Sequence, residues 1–266
     1  MGVRYTSDHR EFDAVATLTS AAGAVTTFGP FVNEVTYSNV SGRIALDYSF
    51  TDDIMAYVAY NRGFKSGVFN IAGVAVGSTA TAALPVEPED LNAYSVGFRS
   101  EFFNRRLRFN AEAYYYDYRN IQVQNVIPGG TQLVNGGRAT IYGIEFETQI
   151  RPVSGLQINW AVSFNHGEYN EFLNGPKFFP LPPNPQVAIP PGGCTGVPPY
   201  PPAAGASPAA QRACNLSGNE TIQTPPFTSN LSVIYTMPTS IGEFTASGSW
   251  AVGGNYFFEA DNNPVT

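Results

Sequence analysis

Val40-Ser41-Gly42-Arg43-Ile44-Ala45-Leu46-Asp47-Tyr48-Ser49-Phe50 decides the fold. Val40, Gly42, Ile44, Leu46, Tyr48 and Phe50 stand at even positions, and Ser41, Arg43, Ala45, Asp47 and Ser49 at odd ones. Alternation with period two is the pattern of a β-strand that presents one apolar and one polar face. The same pattern recurs over 94–102, 107–116, 142–151, 156–165, 231–237 and 244–252. The stretch 54–69 is apolar but alternates poorly, so its inward face stays unassigned. With 2–12 these segments make about nine strands and no helix. The parity predicts that Leu46, Phe98, Phe109, Phe146, Ile158 and Leu231 face outward. Arg43, Arg99, Glu112, Glu147, Asn159 and Ser232 then face the concave side.

The connections sharpen this reading. Tight turns sit at 51–53, 103–105, 153–155 and 240–242, and long loops occupy 13–34, 70–90, 128–137 and 173–226. Short turns on one side and long loops on the other describe an up-and-down antiparallel meander of the outer-membrane barrel type. Its odd and even faces would be lumen and lipid. Phe50 and Phe102 beside short turns, and Tyr60, Tyr115, Tyr118 and Phe164 toward the long loops, are placed to form two interfacial girdles.

Composition is consistent with a sheet that faces lipid. Of 266 residues only 13% are charged and 14% are aromatic, where a soluble domain carries about 25% charge. A net charge of −7 argues against nucleic acid as a partner, because that binding needs a basic stripe. The uncharged apolar runs, such as 71–76, fall far short of the ~18 residues of a membrane-spanning helix. The start Met1-Gly2-Val3-Arg4-Tyr5 carries no basic segment followed by an apolar run. That leaves a cytosolic protein or an internal piece of a longer exported one.

No residue set announces catalysis, and no enzyme, cofactor or metal is expected. His9 and His166 lie far apart in sequence, without a cysteine or carboxylate at ligand spacing. Asp52-Asp53 is a hairpin turn, and Asp261-Asn262-Asn263 is a loop tip before it is a cation site. Gly136-Gly137 and Gly192-Gly193 do not lead from a strand into a helix, so neither is a phosphate cradle. Asn215-Leu216-Ser217 and Asn219-Glu220-Thr221 match a glycosylation sequon of a kind frequent by chance. The 172–226 stretch crowds prolines around Cys194 and Cys214. Two thiols in one loop point to a local disulfide formed in an oxidising compartment, with two unrelated free thiols as the alternative. Phe178, Phe179 and Tyr200 are the candidate ligand-contacting residues of this loop. It is either a lid over a barrel mouth or a surface spacer.

Four segments, in order, resemble the barrels of TonB-dependent outer-membrane receptors. Tyr60-Asn61-Arg62-Gly63-Phe64-Lys65-Ser66-Gly67-Val68-Phe69-Asn70 is similar to their Y-x-RGFKSGGFN segment. Pro88-Glu89 with Ala93-Tyr94-Ser95-Val96-Gly97-Phe98-Arg99-Ser100 resembles PE…YELGLKS, with Ser95 for the usual acidic residue and Arg99 for Lys. The 107–118 strand is similar to LRLNAAAFYYDY, and 135–147 (Asn135-Gly136-Gly137-Arg138 onward through Gly143) to NAGKARIYGVELE. Arg62, Gly63, Phe64, Lys65 and Gly143 are the motif positions.

The resemblance implies a 22-stranded barrel closed by a plug, in the outer membrane of a Gram-negative bacterium. Its implied role is TonB-energised import of a scarce ligand, chiefly a ferric siderophore. The implied partners are outer-membrane lipid, the TonB complex acting through the plug region, and a small iron chelate. Residues 1–266 are then expected to be an incomplete barrel segment, without plug or final strands. A passive porin-type channel and a cell-surface β-sheet binding module are the alternatives.

Overall fold

In the bilayer a strand's N–H and C=O groups have no water to bond to, so each strand must find its partners in its neighbours. The pairing follows that rule with the simplest topology available. The computed structural model describes residues 1–19, 22–70, 85–127, 130–179, 194–195 and 210–262, and no helix occurs among them. The strands are β1 (Gly2–Thr19), β2 (Val25–Thr51), β3 (Ile54–Lys65), β4 (Val68–Phe69), β5 (Pro85–Val86), β6 (Glu89–Phe102), β7 (Leu107–Arg119) and β8 (Gln122–Ile127). They continue with β9 (Gly130–Asn135), β10 (Arg138–Ile150), β11 (Leu156–Glu171), β12 (Gly175–Phe179), β13 (Cys194–Thr195), β14 (Ala210–Cys214), β15 (Phe227–Thr239) and β16 (Gly242–Gly253).

Nine of them form one antiparallel sheet in the order β1-β2-β3-β6-β7-β10-β11-β15-β16. The barrel is not closed in this segment, since β1 and β16 are the ends of that order. The remaining strands form three small sheets, β4-β5, β8-β9 and β12-β14-β13, all in connections at the long-loop end. The four tight turns lie at the other end, where residues 52–53, 103–106, 151–155 and 240–241 join the long strands.

Direct cross-strand partners share a face, so the register sorts the side chains. One outward row runs Leu46, Val58, Val96, Ala113, Ile144, Phe164, Phe227. Phe98, Phe109, Phe146, Ile158 and Leu231 fall on the same face by parity, as expected. Arg43, Arg99, Glu112, Glu147, Asn159 and Ser232 fall on the other. The apolar face is bare, with Leu46 at 70% and Trp250 at 59% exposure. Such a surface suits lipid and is a liability in water. The same register assigns β3: Ala56, Val58 and Tyr60 point outward, and Met55, Tyr57 and Asn61 inward.

Two sequence expectations are corrected. The 13–34 segment is mostly strand: β1 runs to Thr19 and β2 starts at Val25, so β2 alone is 27 residues long. A barrel strand needs only ~9–11 residues to cross a bilayer, so in a barrel of that type this hairpin would project outside it. There its faces need not alternate by lipid exposure, and the periodic signal fades. Likewise 128–137 belongs largely to the β8–β9 hairpin, and the 173–226 stretch contains β12, β13 and β14. Tyr118, in turn, is not a girdle residue. Its parity is opposite to that of Tyr115, so it lies on the inward face and packs into a buried cluster among the long loops.

Glycines let inward tyrosines lie flat across neighbouring strands. Tyr57 and Glu112 both pair with Gly97 from opposite sides, and the Tyr57 hydroxyl donates to the Glu112 carboxylate over it. A Cβ on Gly97 would stand 2.2 Å from the Tyr57 ring. Tyr114 repeats the joint over the motif position Gly143, donating to Asn165 Oδ1. There a Cβ would meet the Phe164 carbonyl at 2.5 Å. Motif position Gly63 has no such neighbour, and nothing lies within 4 Å of an added Cβ. We therefore expect Gly97→Val to destabilise the protein by about 1–3 kcal/mol through overpacking. Gly63→Ala should be close to neutral. Urea unfolding of both variants in detergent micelles measures the difference.

Candidate functional site

Beyond the membrane the long loops are stitched into one platform, and the stitching residues are mostly asparagines. A carboxamide carries a donor and an acceptor side by side, so it can stand in for a strand's backbone. Asn70 donates from Nδ2 to the Leu133 carbonyl at 2.9 Å and accepts from the Leu133 N–H at 2.8 Å. Asn135 does the same with Glu87, at 2.9 Å in each direction, and also donates to the Asn120 carbonyl at 3.0 Å. Asn262 grips Glu220, accepting from its N–H at 2.7 Å and donating to its carbonyl at 3.0 Å. The clamps thereby tie the β3–β6 connection to the β7–β10 connection, and the β11–β15 connection to the segment after β16. Asn262 is thus a clamp, and no ion is needed to explain the 261–262 tip. Asn219 of the second sequon is likewise engaged, donating to the Ala260 carbonyl at 2.9 Å.

Under the clamps lies a small core of Val123, Ala139, Tyr169, Phe172, Cys214, Leu216 and Ala260. Tyr169 and Phe172 are fully buried, their rings 5.3 Å apart. Burial pushes the Tyr169 hydroxyl up to about 12.

The Arg62–Lys65 motif leads into this platform. Ser66, just after it, donates to Asp8 Oδ2 at 2.6 Å, and Arg10 grips the same oxygen at 2.7 Å. The Ser66 bond first, then Arg10, holds the Asp8 carboxyl below its usual range. Gln122 Nε2 donates to the carbonyls of Ser66 and Glu87 at 3.1 and 3.0 Å. Gly67 lies so close to the Tyr37 ring that a Cβ would come within 2.4 Å. The motif strand is thus a junction between β1, β2 and the β8–β9 hairpin. Arg62 itself points outward, 3.8 Å from Asp90, with Phe64 on the same face and Lys65 opposite Glu89 on the inward one.

The inward wall below is polar. Arg99 lies over the Tyr57 ring, 5.2 Å from its centre. Tyr57, Arg99, Glu112, Glu145 and Glu147 line a groove of about 550 Å³.

The outward aromatics form a continuous ladder. Tyr60, Tyr94, Tyr115, Tyr142 and His166 are successive direct partners across five strands. Ring centres are 5.1 Å apart for Tyr60–Tyr94, 6.4 Å for Tyr94–Tyr115 and 5.2 Å for Tyr142–His166. Tyr94 and Tyr142 belong to the girdle although single-strand reading did not select them, because only register aligns them. From Tyr94 to Phe102 the strand rises ~26 Å, or ~20 Å along the normal at a tilt of about 40°, close to the ~25 Å band of such barrels.

His9 is corrected too. The hairpin brings Glu34 beside His9 and Glu11, with potential ligand atoms within 4.8 Å of one another. All three are exposed, and Thr36 Oγ1 already engages His9 Nδ1 at 2.9 Å. Cys214 is buried and disulfide-bonded, and the backbone of Cys194 pairs with it directly. Phe178 and Phe179 end β12, with side chains outside the described set, and Tyr200 lies outside the described residues.

A lipid-facing apolar sheet, a polar opposite face, aromatic rows at two levels and tied extracellular loops define a sector of an outer-membrane β-barrel. The family model described as TonB dependent receptor-like, β-barrel, matches residues 1–266, and the chain belongs to that family. It is thus a protein of the Gram-negative outer membrane, from a family of receptors and transporters and not of enzymes. Among solved structures it is similar to the ferric yersiniabactin uptake receptor FyuA from Yersinia pestis, at 18% identity and a TM-score of 0.66. That match covers 98% of this chain and 32% of the receptor. It is also similar to the copper transporter OprC (13% identity, TM-score 0.60, covering 94% of this chain and 31% of OprC). A third is the ferric preacinetobactin receptor BauA from Acinetobacter baumannii (14%, 0.55, covering 90% and 29%). The chain spans about a third of these structures' lengths, and at such identities the likeness is one of fold.

Tyr169 supplies a test of the loop platform. Its proton is held more tightly in the folded chain than in the unfolded one. The stability this adds is complete below the ordinary tyrosine value of about 10 and is lost as pH rises through about 12. Tyr169→Phe should flatten that alkaline limb and leave the neutral-pH fold intact. Alkaline unfolding of the purified full-length receptor, followed by loop-specific fluorescence, measures it.

Proposed function

We propose that the full-length protein imports a scarce ligand across the outer membrane, with a ferric siderophore as the ligand class and the TonB complex as the energy source. The observation that carries this reading is the tied extracellular platform standing over a polar inward wall, in a chain of the TonB-dependent receptor family. Organised loops of this kind offer a ligand a shaped surface, whereas an open passive pore has no use for one. Two of the similar structures are named as receptors for ferric ligands, and one as a copper transporter. In this reading the barrel sector is part of a transporter. Its work is to bind, to frame the lumen and to seat the plug that TonB acts on.

Within that reading the 172–226 connection is a flap that carries Phe178, Phe179 and Tyr200 to the ligand. A Cys194–Cys214 bridge stiffens it. Supporting the bridge are the direct Cys194–Cys214 backbone register and the bonded state of Cys214, since direct antiparallel partners lie within disulfide reach. A bridge closing about 20 residues removes on the order of 3 kcal/mol of loop entropy from the unfolded chain.

Uptake of radiolabelled ferric siderophores by cells expressing the full-length gene tests the import reading. We expect saturable accumulation that disappears when TonB is deleted or the proton gradient collapsed. Uptake that persists without either would return the porin reading, and accumulation of copper alone would replace the ligand class. For the bridge, maleimide labelling of the receptor in native membranes should fail until a reductant is added. Labelling of both cysteines beforehand would make the flap an unbridged spacer.

A further inference from the structure

One cavity of the loop platform lies on the lumen side of the sheet. Tyr118, Ala139 and Tyr169 are successive direct partners of inward parity, and the small buried core packs over them. Val123 of that core and Ile222 beside it form the apolar wall of a cavity of about 280 Å³. The more exposed Gln124, Gln223 and Phe258 line it too, together with Glu259.

Glu259 sets the chemistry of this cavity. It is half-buried, and among the described residues no ion pair or hydrogen bond engages its carboxylate. Burial first, then the neighbouring Asp261, holds that carboxyl above its usual range. A carboxylate drawn out of water without a partner gains most when a cation arrives. The surroundings add negative potential: Asp261 is itself buried, and Glu220, clamped to Asn262, directly opposes Glu168. The backbone brings an aromatic face to the same place. Gln223 has a left-handed φ of 52°, uncommon for a residue with a side chain, and its N–H donates to the Phe257 carbonyl at 2.9 Å. That joint sets 256–259 against the 222–223 turn. Phe258 is 60% exposed, with its ring centre 5.0 Å from that of Tyr256.

We propose that this cavity binds the primary ammonium of an imported ferric chelate that carries it on a flexible alkyl arm. The assignment rests on the import reading above and narrows its ligand class. An ammonium has three N–H donors and no acceptor. Glu259 supplies the opposite charge, and the side-chain carbonyls of Gln124 and Gln223 are acceptors for the remaining protons. The Phe258 ring offers its face to a cation, and Val123 and Ile222 cover the methylenes. The cavity falls below the ~300–1,000 Å³ of pockets that enclose whole drug-sized ligands, so it takes an arm of the chelate and not its iron centre. An anionic chelate would meet repulsion from Glu259 and Asp261 instead.

The test uses the full-length protein and three ferric chelates: a linear trihydroxamate with a pentylammonium terminus, the same molecule N-acetylated, and a trianionic tris-catecholate. Binding is read from intrinsic fluorescence of purified protein, and uptake from radioiron accumulated by cells. We expect the aminated chelate to bind about tenfold more tightly than its acetylated form. Glu259→Gln should abolish that preference and leave the affinity for the acetylated form unchanged, whereas Glu243→Gln at a short turn should retain it. Heat-modifiable migration on gels verifies that both variants fold. Failure to bind the aminated chelate, equal binding of the aminated and acetylated forms, an unchanged preference in folded Glu259→Gln, or a preference for the trianion would each overturn the proposal and leave import standing. Ammonium-dependent binding without TonB-dependent uptake would support the chemistry of the cavity and overturn the import reading.

Discussion

The inter-strand hydrogen-bond ladder is the constraint on which the rest of this molecule depends. Inside a bilayer an unpaired peptide group costs several kcal/mol, so each long strand is joined to the next by a register that shifts only near strand ends, at Ala14/Ala16, Ser49/Thr51 and Arg138/Ala139. β6, for example, is matched residue by residue to β3 and β7 over nearly its whole length. A continuous register leaves side chains only two directions. The outward set must tolerate lipid, and the inward set is free to be polar.

Other features follow from that division. Because direct partners share a face, tyrosines chosen one per strand become a ladder across five strands. On the inward side, strands lie about 4.8 Å apart, and a ring laid flat across the next strand leaves no room for a side chain under it. Tyr57 and Tyr114 solve this by lying over Gly97 and Gly143. Glycine at those places is a requirement of the neighbour's bulk and not of its own backbone, as neither has a left-handed φ.

Past the membrane the constraint relaxes, and the structure changes its means of satisfying polar groups. Three asparagine carboxamides imitate a strand edge, each exchanging both hydrogen bonds with one residue of another loop. Such bonds fix loop against loop without a continuous sheet. They allow the small core around Tyr169 and Phe172 to form from pieces remote in sequence. The proposed ligand surface therefore rests on the side of the molecule least governed by the bilayer.

The division between what the sequence determined and what tertiary structure decided lies at that same boundary. Strand count, short-turn placement and the faces of Leu46, Phe98, Phe109, Glu112 and Glu147 were legible, because lipid on one side and lumen on the other write a period-two signal. The family was legible from 60–70 and 135–147, where Gly67 and Gly143 lie too close to Tyr37 and to the Phe164 carbonyl to carry a side chain. Tyr118 was misassigned because its level along the strand was read without its parity, and the 13–34 hairpin was read as loop because the rule linking parity to lipid ends where the bilayer ends. The Asn70, Asn135 and Asn262 clamps, the Asp8–Ser66 junction and the cavity shared by Gln124, Gln223 and Glu259 could not be read from any one segment. Each depends on residues tens of positions apart, and an isolated Asn or Glu carries no mark of the strand or loop it will meet. Register and loop packing, which are properties of several strands together, decided those.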